Sequence, residues 1–154
     1  MTKTPRNRNA GFSLIELIVT VTIAAILASI AAPSFTSIIE SQRVRAASSD
    51  LYSSLTLARS EAIKRNIDIT LTPISDNWAS GWQIAHPSVA GSFIEEHPAL
   101  ANNITITGPT SVVYSNSGRM QAGANVTFTV AGDTASSQRC IYVALSGRPA
   151  VKSC

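Results

Sequence analysis

The sequence is poor in the side chains from which metal centres and many active sites are built: it has two cysteines and two histidines in 154 residues. That leaves almost no material for a multi-ligand zinc or iron–sulfur site. Charged residues are also scarce, at 14% of the chain, and set against 45% hydrophobic residues this excludes an intrinsically disordered protein. The length is that of one domain, with no internal repeat or low-complexity linker. His86 and His97 each stand beside a proline in expected loops, with no Ser or Cys nucleophile motif and no ligand partner at a useful spacing. Glu95 and Glu96 are adjacent, so on an extended strand they face opposite sides and cannot work as a paired acid and base. The chain therefore reads as a non-enzyme with no cofactor and no metal.

What is present begins with charge. The formal net charge is +3, from 12 basic and 9 acidic side chains. Lys3, Arg6 and Arg8 precede residue 12, so the remainder carries 9 basic (12 − 3) and 9 acidic groups. A basic surface on the body must come from segregation. Residues 66–98 hold Asp68, Asp76, Glu95 and Glu96 with no Lys or Arg, whereas residues 99–154 hold Arg119, Arg139, Arg148 and Lys152 against Asp133.

Residues 12–32 form an apolar run whose single charge is Glu16. At about 1.5 Å per residue such a helix is roughly 30 Å long, enough to cross a bilayer core. The eleven residues before it carry three cations and no acid, which keeps them cytoplasmic and leaves the body outside. A secretory signal peptide is the alternative, since Ser29-Ile30-Ala31 offers small residues to a peptidase. Two features oppose it: the run exceeds a usual h-region, and an unpaired carboxylate at membrane depth costs a few kcal/mol. Glu16 needs a counter-ion. Cleavage after Gly11 would make Phe12 the N-terminus, with its amine within one helical turn of Glu16, and a neighbouring copy could present the same amine to that carboxylate.

Gly11-Phe12-Ser13-Leu14-Ile15-Glu16, followed by an apolar run and Pro33, resembles the class III leader and N-terminal helix of type IV pilins and type II secretion pseudopilins. The resemblance implies that a prepilin peptidase cuts after Gly11 and methylates the Phe12 amine, that Glu16 guides subunits into a filament, and that the chain passes once through the bacterial inner membrane with its body in the periplasm.

Pro33 closes the apolar run and is expected to bend or restart the helix. Residues 34–66 then read as an amphipathic helix. Leu51, Leu55, Ala58 and Ala62 fall on one stripe, and Arg43, Arg45, Arg59, Lys64 and Arg65 decorate a solvated face. From residue 67 the pattern alternates. Ile67, Ile69 and Leu71 suggest a strand, Pro73 and Asp76-Asn77 a turn, and Gly81 to Ile84 the start of another strand. Further strands are expected at 104–107, 112–115, 126–130 and 141–145. The expected fold is α+β: a long N-terminal helix packed on one or two small antiparallel sheets spanning 67–154, whose apolar face covers the stripe.

Cys140 and Cys154 are the only cysteines in a body expected to be exported, so a disulfide is the first reading. On the chain-entropy model it contributes about 3 kcal/mol, and it would pin a C-terminus that otherwise frays. Trp78 and Trp82 read as core.

Several body segments, taken in order, resemble the minor-pilin family that contains the type II secretion protein H and the type IV minor pilins FimT and FimU. They are residues 51–66, Trp78 with Gly81-Trp82, Val112 to Tyr114 with Gly118-Arg119, and Cys140 with Gly147-Arg148 and Cys154. The resemblance implies a minor pilin that joins the major pilin and other minor pilins, with a tip position open, or alternatively a secretion pseudopilin. Some FimT proteins bind DNA through a C-terminal Gly-Arg-X-Arg motif. Here Gly147-Arg148-Pro149-Ala150 lacks the second arginine, while Lys152 follows. Arg119, Arg139, Arg148 and Lys152 are thus candidates for double-stranded DNA, and the competing reading makes Arg148 a surface or subunit-contact residue.

Overall fold

The computed structural model describes residues 12–121, 123–133 and 137–154, the side chains of 30–34 excepted. The leader, including Gly11, lies outside the described residues. One helix, α1 (Leu14–Arg65), is followed by eight strands: β1 (Ile69–Ile74), β2 (Asn77–Ala85), β3 (Phe93–His97), β4 (Thr105–Thr107), β5 (Val112–Tyr114), β6 (Val126–Ala131), β7 (Gln138–Val143) and β8 (Pro149–Lys152). The chain divides into two units, Met1–Thr36 and Ser37–Cys154.

In the first unit α1 starts with a serine N-cap. Ser13 precedes the helix and its Oγ accepts the backbone N–H of Glu16 at 3.2 Å, which puts Glu16 at the third helical position. The helix continues through Pro33, so of the bend or restart expected there the restart does not occur. Every residue from Phe12 to Ser29 is exposed. Among the described residues no helix is long and apolar enough to cross a membrane. The expected span includes residues 30–32, whose side chains lie outside the described set.

The second unit is built on the expected stripe. Leu51, Leu55, Ala58 and Ala62 are all fully buried, and Val44 and Ala47 extend the stripe towards the N-terminus. The helix ends in a Schellman motif with Asn66 in the left-handed region at φ 56°. The Asn66 N–H bonds the Ile63 carbonyl and the Ile67 N–H bonds that of Ala62.

Two four-stranded antiparallel sheets cover the stripe, in the orders β3-β2-β1-β5 and β4-β6-β7-β8. Leu71, Trp82, Ile84 and Tyr114 from the first join Phe128, Val130, Ile141 and Val143 from the second in one core cluster with the helix. Trp78 links the sheets: its ring meets Phe128 edge-on at 4.9 Å, and its Nε1–H donates to the Pro109 carbonyl at 2.7 Å. The β1–β2 turn is a two-residue loop, Ser75-Asp76, with both residues at positive φ, as a type I′ hairpin requires.

Several expectations are corrected. β2 starts at Asn77 rather than at Gly81, and β7 covers 138–143 rather than 141–145. Pro73 does not make a turn: it lies within β1, past the last β5 partner, where the strand has an open edge. Two strands, β3 and β8, were not expected, and His97 belongs to β3 instead of a loop. Its ring stacks on Trp82 with centroids 4.0 Å apart, and Nε2 sits 3.5 Å from Asp50 on the helix.

Candidate functional site

Two places concentrate the candidate residues. At the start of α1, Glu16 is exposed in the first turn, where a carboxylate is favoured by the helix dipole. Its side chain has no hydrogen bond or ion pair among the described residues. Around it Phe12, Leu14, Ile15, Leu17 and Ile18 are all more than half exposed. A helix that is apolar all round is stable only when buried in lipid or against other helices. The site therefore combines one bare carboxylate with an apolar surface that needs a cover.

The second place is a groove of about 770 Å³ between α1 and the β7–β8 hairpin. Helix residues Arg45, Ser48, Ser49 and Tyr52, spaced by three, one and three positions, form one wall. Arg139 from β7, Arg148 from the hairpin turn and Pro149 to Val151 of β8 form the other. The turn depends on Gly147, at φ 79°, which lies directly against the Gly118 carbonyl and leaves no space for a Cβ. The disulfide Cys140–Cys154 closes over β8, with Cα atoms 5.1 Å apart, and ties the chain end to β7.

Of the four expected nucleic-acid residues, the groove gathers Arg139 and Arg148. Lys152 does not line it and sits 5.6 Å from the centre of the Tyr142 ring. Arg119 lies outside as well, in the 115–119 turn, where its carbonyl accepts the Ser115 N–H. The helix cations are not a uniformly solvated face. Arg43 donates to Asn103, Arg59 to the Gly118 carbonyl, and Lys64 and Arg65 pair with Glu61, whose carboxyl they hold below its ordinary pKa, with the Arg65 hydrogen bond as the largest cause. Arg45 is different: like those of Arg139 and Arg148, its side chain has no hydrogen bond or ion pair among the described residues. Sequence reasoning missed it because its role depends on which side of α1 faces β8.

The model of the family described as Type II transport protein GspH matches residues 47–147, about two thirds of the chain. The chain belongs to the GspH family. The prokaryotic N-terminal methylation motif matches residues 6–32. No curated protein matches the sequence. Among solved structures, the type IV minor pilin FimU of Pseudomonas aeruginosa is similar with a TM-score of 0.65 at 18% identity, covering 72% of this chain and 89% of that one. The minor pseudopilin EpsH of the Vibrio cholerae type 2 secretion system is similar with a TM-score of 0.57 at 11% identity, covering 72% and 97%. These likenesses concern the fold, and the α+β pilin-like architecture of this GspH-family chain agrees with both.

Proposed function

We propose that this GspH-family chain is a minor pilin: cut after Gly11, methylated at Phe12 by a prepilin peptidase, held in the inner membrane by residues 12–32 with its body in the periplasm, and then drawn into a type IV pilus beside the major pilin and other minor pilins. The observation that carries this reading is Glu16, a carboxylate without a partner in the first turn of a helix that is exposed on all sides from its start to Ser29. Buried among apolar helices it would be costly unless a neighbouring amine neutralised it, so the acid makes docking selective. Both Glu16→Ala and Glu16→Gln are expected to remain in the membrane fraction and to disappear from sheared filaments. Incorporation of Glu16→Gln at the normal level would refute the ion pair, because glutamine keeps the size and polarity of the side chain and removes only the charge.

The secretion pseudopilus is the alternative, supported by the EpsH likeness in fold. Deletion distinguishes the two: a pilus subunit loses surface pili, and a pseudopilin blocks exoprotein release while pili persist. Contact with double-stranded DNA is a further reading, in which Arg139 and Arg148, with Arg45 added, are the residues sharing one surface. Three phosphate contacts imply weak retardation with a log–log salt slope of about −3.

A further inference from the structure

We infer that the groove between α1 and β8 is a docking site for an extended acidic segment of a neighbouring filament subunit; the subunit source rests on the filament reading above, while the ligand chemistry does not.

The Ala144 N–H donates to the Arg148 carbonyl at 3.2 Å, so Ala144 and Arg148 form a hydrogen-bonded pair of the β7–β8 ladder. Such pairs recur every second residue, which turns the backbone of Ala150 and Lys152 towards β7 and that of Pro149 and Val151 away from it. β8 ends its sheet, so these groups lie on an open edge. The edge offers the Pro149 carbonyl and both the N–H and carbonyl of Val151. Pro149 supplies no N–H, which guards the edge against indiscriminate strand addition. A visitor must therefore gain affinity elsewhere, and Arg45, Arg139 and Arg148 supply it: three guanidinium groups in one groove, with no acidic side chain among its lining residues.

The complement of this surface has carboxylates for the arginines, a backbone with alternating donors and acceptors for Pro149 and Val151, and small apolar side chains for the Tyr52 and Val151 walls. An acidic extended peptide has all three. A phosphodiester backbone has acceptors only and would leave the outward carbonyls unmatched, so the edge favours peptide over DNA.

The test uses the mature full chain in detergent micelles and three labelled probes: a short peptide of alternating valine and glutamate, its valine–glutamine counterpart, and a short DNA duplex. The valine–glutamate peptide is expected to bind, the glutamine version to bind on the order of tenfold more weakly, and the double variant Arg45→Gln/Arg148→Gln to lose a similar factor for the acidic peptide. Both arginines are exposed and unpaired, so folding is not at stake. Equal binding of the two peptides, an unaltered double variant, or binding of the duplex in place of the peptide would each overturn the proposal. In cells the double variant is expected in the membrane but depleted from sheared filaments, and its normal incorporation would overturn the subunit source. Wild-type chain missing from filaments would instead sink the filament reading and leave the peptide titration standing.

Discussion

The indole N–H of Trp82 donates to Oγ of Ser54 at 2.8 Å, and both residues are fully buried. Ser54 in turn lies 2.8 Å from a carboxylate oxygen of Glu95, so a helix hydroxyl joins the middle of β2 to β3. Ser54→Ala removes the acceptor for the indole and the donor for the carboxylate at once. An unmatched buried polar group costs about 1–3 kcal/mol, and a destabilisation of that size is expected in urea or thermal unfolding. Trp82→Phe in the Ser54→Ala background should cost less than the sum of the single changes, because the orphaned N–H is gone.

Glu61 lies against Arg65 and Lys64 at the end of α1, and these cations lower its pKa. A carboxyl whose folded pKa lies below its unfolded value adds stability above the unfolded value, near pH 4.3, and loses it as the pH falls through the folded one. Melting temperatures taken from neutral to acid pH should fall less steeply for Glu61→Gln than for the wild type in this window.

The Tyr114 hydroxyl is fully buried without a partner among the described residues, and burial pushes its pKa up. Unfolding releases a phenol that ionises near pH 10, so titration of this group leaves stability unchanged below that pH and favours unfolding above it. Tyr114→Phe is expected to change neutral-pH stability by less than about 1 kcal/mol, since no hydrogen bond is lost, and to shift alkaline unfolding to higher pH.

Cys140 and Cys154 close a loop with a sequence separation of 14. Loss of the bridge in Cys154→Ser should lower unfolding free energy by about 3 kcal/mol and expose the β8 end to carboxypeptidase. Reductant should reproduce both effects in the wild type and neither in the variant.

The helical stripe was legible because Leu51, Leu55, Ala58 and Ala62 repeat at the helical period, and burial followed that period to the residue. Strands with alternating apolar residues, such as β1 and β6, were legible for the same reason. β3 was not, since Phe-Ile-Glu-Glu-His has no alternation, and it becomes a strand because β2 offers it an edge. β8 was hidden by its length and by its first residue, Pro149, which is tolerated only because its nitrogen faces away from β7.

At the N-terminus the residues alone determined the processing signature, the apolar run and the acid that interrupts it, because these are local properties of adjacent side chains. The disulfide was legible in the same way, since only two cysteines were available to form it. Only the tertiary structure decided which cations act together. Arg45 lies 94 residues before Arg139 (139 − 45), and no local pattern ties them. They share a groove because the packing of the stripe sets which side of α1 meets β8, whereas Lys152, directly after Val151 of the groove wall, is held over Tyr142 instead.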